Sequence, residues 1–392
     1  MTIEGELTVR LDWDGRRVRR ATLRSTRPFA APRVLVSRTP GEALRTVPLL
    51  FSICAHAQAA AAAGAIEAAT GRAGDAATVA AREATVRLET IQEYLWRILI
   101  DWPRATGREA DVLPVAAARR VIAPVLARLA PIAQRTDGSA DDVGVAVPRE
   151  LAAELARLVT RHVFGVEPVA WLALRDEDAL GAWIARTATP AATLLEELRT
   201  RQPALGRSDI GLMRPPLRDE LRAAILPAMR SLEGFERTPA WQGVPVETGA
   251  LARRQSHPLV AAVLARYGNA VATRMVARLA ELALVVSCLA DSVADHDGER
   301  WVDAFPLGDH EGLGVVQTAR GLLLHRAQVA EGRVTGYQIV APTEWNFHPD
   351  GALVRGLEGV EATDEAELAR DARLAVQALD PCVACRVEVA HA

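Results

Sequence analysis

The last thirteen residues, Asp380-Pro-Cys-Val-Ala-Cys-Arg-Val-Glu-Val-Ala-His-Ala392, constrain this chain more than any other stretch. Cys382 and Cys385 form a C-x-x-C pair in a sequence with only four cysteines. Pro381 fixes its own φ and biases Asp380 toward extended backbone, so the preceding helix is expected to end there. Two thiolates three positions apart can bind one metal from one side. They make half a site, so a fold that uses them must bring further ligands from far along the chain. Cys54, in Phe51-Ser-Ile-Cys-Ala-His-Ala-Gln58, stands near His56 and is the better partner. Cys288, near the end of a helical stretch, reads as core, and a lone cysteine on a core helix is the commoner case for Cys54 as well. From the residues alone the expected site is Cys54, Cys382 and Cys385, with His56, His348 or His391 as a fourth ligand. Such a set suits structural zinc, and soft thiolates equally suit iron or nickel. Redox use is less favoured, because the seven residues after Cys385 are too few for a following helix to pack.

Composition narrows the class. Half of the 392 residues are apolar, enough for a large core. A net charge of −3 and a pI near 6.3 argue against a general nucleic-acid binder. Every basic residue is arginine. Together with the heavy use of alanine, this reads as a codon-composition signature. The N-terminus, Met1-Thr-Ile-Glu-Gly-Glu-Leu7, is acidic and lacks an apolar run, so no signal peptide or membrane insertion is expected. Unevenly spaced cysteines do not suggest a disulfide framework, and the expected compartment is a reducing cytoplasm.

Leu7, Val9, Leu11 and Trp13 alternate with polar residues ahead of Asp14-Gly15, which predicts a β-hairpin over 6–24 with a primed turn. Helical patterns follow over 52–69, 76–100 and 112–133. Asp75 is the expected cap and Pro103 the expected stop of the second, and Pro114, Pro124 and Pro131 are expected to break or kink the third. Residues 137–142 read as a polar loop. Further helices are expected over 148–163, 175–187, 190–201, 217–232, 257–294 and 364–378. The segment 295–301 reads as a solvated loop. Apolar runs flanking Glu331-Gly-Arg333 predict a second hairpin over 322–340. The expected architecture is mainly α with small β ribbons near both ends. It is one domain over 1–392: hairpin 6–24, helical core 46–294, and ribbon with C-x-x-C tail 300–392.

These pieces, in this order, resemble the large subunit of nickel-iron hydrogenases over nearly the whole chain. Asp380-Pro-Cys-Val-Ala-Cys385 is similar to that family's C-terminal D-P-C-x-x-C, and Phe51-Ser-Ile-Cys54 falls where it has R-x-C-G-x-C. Ile3-Glu-Gly-Glu-Leu7, Pro245-Val-Glu-Thr-Gly-Ala-Leu-Ala-Arg253, Gln317-Thr-Ala-Arg-Gly321, Tyr337-Gln338 and Ala341-Pro-Thr-Glu-Trp-Asn346 resemble further family segments. The resemblance implies a helical bundle in which Cys54 and Cys385 match thiolates that bridge nickel and iron, and Cys382 one that binds nickel alone. Arg320 and Thr343 match donors to the iron's cyanides, and Glu4 a proton-relay position. Phe51 stands where the second nickel-only thiolate belongs, Gln58 replaces a histidine, and Glu388 stands where a histidine precedes the processing site.

The iron-holding half is thus kept and the nickel-only half impaired, a combination that resembles the HupK-type accessory proteins of hydrogenase maturation. The resemblance implies a non-enzymatic scaffold or chaperone that binds or protects an Fe(CN)2CO unit transiently and passes it to the hydrogenase large subunit, with other maturation proteins as partners. Nickel binding is left open. Two alternatives stand beside it. One is a catalytic nickel-dependent hydrogenase subunit, and the other a structural-zinc or metal-free docking protein for maturation factors.

Overall fold

The alternation at the N-terminus gives β1 (Glu6–Trp13) and β2 (Val18–Ser25), antiparallel, with Leu7, Val9, Leu11 and Trp13 buried. In the computed structural model, which describes residues 5–136, 144–289 and 300–391, their connection is not the two-residue primed turn the sequence suggests. It is a four-residue loop, closed because the Asp14 carboxylate accepts the backbone N–H groups of Arg16 (2.9 Å) and Arg17 (2.7 Å). Glu4, the 137–142 loop, most of the 295–301 segment and the end of the 257–294 stretch lie outside the described residues.

Helices follow: α1 (Pro40–Leu50), α2 (Ala55–Ala69), α3 (Ala76–Trp96) and α4 (Leu113–Ala133). Asp75 caps α3 as expected, accepting from Thr78 N at 2.7 Å. Pro103 does not stop this helix. A π-turn over Arg97–Asp101 carries it into a last helical turn, Trp102–Ala105, where Pro103 lies in the first turn and needs no N–H partner. Pro124 and Pro131 lie inside α4, which runs on past both. The 217–232 stretch divides at Ile225. The 257–294 stretch divides at Gly268 (φ +69°) into Pro258–Tyr267 and α5 (Val271–Ser287), with half-buried Cys288 at the latter's end.

The C-terminal ribbon is larger than a hairpin. Strands β3 (Val302–Gly308), β4 (Glu311–Thr318), β5 (Gly321–Ala330) and β6 (Arg333–Val340) form an antiparallel sheet in that order. The predicted hairpin is β5–β6. Every residue of β4 is buried, so it carries no polar alternation to read. Against β4 lies α2, whose residues from Ala57 to Ala69 are all buried. A Cβ on Gly314 would come within 2.0 Å of Ala61 O, and one on Gly312 within 2.3 Å of Ala65 O. Gly312 and Gly314 therefore let the alanine-rich helix lie directly on the sheet, where a Cβ at either position would strike its backbone.

After a short helix, Pro342–Asn346, α6 (Glu365–Leu379) leads into β7 (Ala384–His391). Strand β7 pairs parallel to β1, making a sheet of order β2-β1-β7 in which Cys385 stands opposite Leu7. The fold is mainly helical with small sheets, as the sequence suggests. Several of its charges are buried as arginine pairs: Arg82 grips Glu67 through two bonds of 2.7 and 2.8 Å, and Arg274 grips Glu247 at 2.8 and 2.9 Å. Guanidinium suits such burial because its planar fork matches a carboxylate bidentately.

Candidate metal centre

Cys54 ends a single 3-10 turn, Ser52–Cys54, and occupies the N-cap of α2. It faces an open cavity of about 390 Å³ whose lining includes Phe51, Gln58, Arg320, Thr343 and Cys382. Cys54 and Cys382, 328 positions apart in sequence (382 minus 54), are near enough for their charges to repel. Burial pushes the Cys54 thiol up to about 12, and Cys382 and Glu89 add to the rise. Both sulfurs have donors. Thr343 Oγ1 donates to Cys382 Sγ at 3.1 Å, and Gln58 Nε2 donates to Cys54 Sγ at 3.5 Å. Thr343 is placed by the first turn of the helix Pro342–Asn346.

Arg320, in the tight turn between β4 and β5, is 4% exposed and lines the cavity. One side of its guanidinium pairs with Glu93. Its Nε lies 3.3 Å from Asp380 Oδ1 without a hydrogen bond. Asp380 is also 2.6 Å from Arg97 and 3.6 Å from Arg278. Burial works against this carboxylate, and the three arginines overcome it, holding it below the usual range. The helix ends at Leu379 as Pro381 demands, but Asp380 takes φ +58° and not extended backbone. The arginine cluster holds its carboxylate inward.

A second cavity, of about 690 Å³, shares Cys382 and Arg320 with the first and is also lined by His56, Glu89, Glu93 and Arg97. Glu89 accepts the backbone N–H groups of His56 and Ala57, both at 2.9 Å, at the start of α2. Burial nevertheless raises its carboxyl to about 8. Sequence reasoning missed Glu89 and Glu93. Their i,i+4 spacing on α3 was the available signal.

Of the three expected sulfurs, Cys54 and Cys382 line the first cavity together. Cys385 lies on β7, half-buried beside the core-facing Val387 and Val389, and lines neither cavity. Burial pushes its thiol up to about 12, with Glu6 adding to the rise. Of the candidate imidazoles, His56 lines only the second cavity. His348 is buried, its Nδ1 accepting Asp350 N–H at 3.0 Å. His391 lies 5.7 Å from Trp13 on the exposed end of β7. Among the described residues no three His, Cys, Asp or Glu side chains are grouped to hold a metal. The polar groups of the first cavity include two thiols, the Thr343 hydroxyl and the buried Arg320 guanidinium, beside Arg27, the Ser52 and Thr318 hydroxyls and the Glu236 and Glu344 carboxylates. They fit a metal unit that brings its own anionic ligands better than a closed four-ligand zinc site.

The comparisons with known proteins extend over the whole chain. It is 33% identical to the hydrogenase expression/formation protein HoxV of Cupriavidus necator, across 93% of this chain and 92% of that protein. The chain belongs to the hydrogenase expression/formation family. Another member, HupV of Azotobacter chroococcum, is 32% identical across 99% of both chains. Residues 257–388 also match the family model described as nickel-dependent hydrogenase. In fold, this expression/formation protein is similar to the Ni-Fe-Se hydrogenase of D. vulgaris Hildenborough, with a TM-score of 0.62, 16% identity and 93% of both chains covered. Membership gives the chain a general role in hydrogenase maturation. HoxV and HupV, which match it over more than nine-tenths of its length, are both expression/formation proteins.

Proposed function

We propose that the protein is a non-catalytic scaffold that holds an Fe(CN)2CO unit transiently and hands it to a hydrogenase large subunit in the cytoplasm. The observation that carries this reading is one cavity faced by Cys54 and Cys382, with the Thr343 hydroxyl on one sulfur and the buried Arg320 guanidinium in the wall. Iron is cargo here, not a resident cofactor. Each thiol that becomes a ligand releases its proton, because thiolate is the binding form. Arg320 donates to the unit's anionic ligands, where charge-assisted hydrogen bonds are strong, and Thr343 gives its one hydroxyl proton to the Cys382 sulfur. In this reading Cys54 and Cys382 make the resting holder, and Cys385 joins only if β7 separates from β1. No nickel step is assigned, because Phe51 supplies no ligand. Large subunit and maturation proteins dock around the cavity mouth, where Leu49 and Ile53 are exposed.

The absence of three converging ligands among the described residues favours a second reading, a metal-free docking protein. Infrared spectroscopy of protein purified anaerobically from maturation-competent cells separates the two. Bands of metal-bound cyanide and carbon monoxide, lost in Cys54→Ala, are expected of the scaffold. Their absence from the unaltered protein would sink the iron reading and leave docking.

A further inference from the structure

Behind Cys54 runs a buried chain of hydrogen bonds through Gln58 and His325 to Tyr337. Tyr337 on β6 meets His325 on β5, its hydroxyl 2.8 Å from His325 Nδ1 and the rings edge-on at 5.6 Å. His325 Nε2 is 2.8 Å from Gln58 Oε1, and the other end of that amide, Nε2, donates to Cys54 Sγ at 3.5 Å. His325 is fully buried (0% exposed).

The Gln58 amide sets the direction of this chain: with its Nε2 donating to the sulfur, its Oε1 accepts from His325 Nε2–H. Burial keeps the imidazole neutral at neutral pH, so it has one N–H to give. That N–H sits on Nε2, and Nδ1 accepts from the Tyr337 O–H. Were the imidazole proton on Nδ1, every bond would reverse, and Gln58 would present to Cys54 a carbonyl oxygen, which accepts from the thiol but repels the thiolate. A strand pair and the amide that a cysteine meets one helical turn into α2 are thus set together.

We propose that His325, set by Tyr337, is a positioning residue that fixes the Gln58 amide with its N–H on the Cys54 sulfur. The Cys54 thiolate is then a hydrogen-bonded and less electron-donating ligand, suited to giving cargo up. The consequence for release rests on the scaffold reading. The network belongs to the metal-free chain and is tested there.

Nitrogen-15 spectra of histidine-labelled, metal-free full-length protein are expected to show His325 as the neutral Nε2–H tautomer at pH 7. An Nδ1–H tautomer or an imidazolium would overturn the proposal. Iodoacetamide labelling followed by peptide mass spectrometry gives a second reading, with Cys382 as internal control. His325→Leu is expected to slow Cys54 about tenfold, the loss of one hydrogen bond to a thiolate, and to leave Cys382 unchanged. His325→Gln, which retains an N–H for Gln58, should restore Cys54. No change at Cys54, or equal slowing at both cysteines, would overturn the positioning role. In iron-loaded protein His325→Leu should lower the carbon monoxide stretching frequency. If the unaltered protein shows no such band, the scaffold reading fails while labelling and the tautomer still decide the network.

Discussion

Cys382 and Cys385 belong to one motif and stand in unlike surroundings. Cys382 follows a buried carboxylate ringed by Arg97, Arg278 and Arg320, accepts a hydrogen bond from Thr343 and faces a cavity. Cys385 is paired into β7, an edge strand with β1 as its neighbour and several exposed side chains. The first thiol is held by a charge network and the second by a backbone ladder. A motif that reads as one two-thiol claw is, in the fold, one thiol at a cavity wall and one on a paired strand.

The largest test of this contrast is functional. Cys382→Ala is expected to abolish the cyanide and carbon monoxide bands, and Cys385→Ala to retain them. The reverse result would mean that β7 separates from β1 in the loaded protein and that the resting pair is Cys54 with Cys385. Next comes the anchor itself. Asp380→Ala leaves three arginines without their shared carboxylate, and urea unfolding should show a loss of roughly 3–5 kcal/mol, the cost of breaking a buried pair from one side. A much smaller loss would mean that the charge network does not hold the Cys382 side.

A pH-dependent effect follows from Glu89, which lines the second cavity with Cys382. Its carboxyl is raised from 4.5 to about 8 by burial, with Glu93 adding to the rise and Arg320 and two backbone N–H groups opposing it. The folded state binds this proton more tightly than the unfolded chain does. Its stabilising contribution is therefore complete below the ordinary carboxyl range and is lost as pH rises through about 8. The urea midpoint should fall across that window, and Glu89→Gln should flatten the fall. An unchanged slope in the variant would exclude Glu89 as the titrating group. The smallest effect belongs to the tail. Arg386 is 62% exposed and makes ion pairs of 3.3 and 3.2 Å with Glu6 and Glu388, so Arg386→Ala should alter stability by no more than about 0.5 kcal/mol. A larger loss would make the tail strand an anchored element like its neighbour.

Much of the fold could be read beforehand where a residue acts on its own neighbourhood. Asp75 capped its helix, the alternation from Leu7 to Trp13 made a strand, and Pro381 ended α6. Legibility failed where both sides of an element are covered. Strand β4 shows no alternation because α2 lies on one face of its sheet, and the close seat of α2 on Gly312 and Gly314 was hidden because they are some 250 positions away. Within the site, Cys54, Cys382, Thr343 and Arg320 were legible through resemblance and line one cavity. Glu89, Glu93 and His325 were not, because each has its role only against a distant element. Glu89 meets the first N–H groups of α2, Glu93 meets Arg320, and His325 meets Gln58.

By itself the sequence determined which residues are at hand: four cysteines, the order of the motifs, the helix caps and the small residues that permit close packing. Those are properties of single residues and of spacing along the backbone. Which thiols face one another was decided only by the tertiary structure. The parallel pairing of β7 with β1 sets Cys385 opposite Leu7 and turns it, with Val387 and Val389, toward the core. Cys382 precedes that ladder and is free to face Cys54.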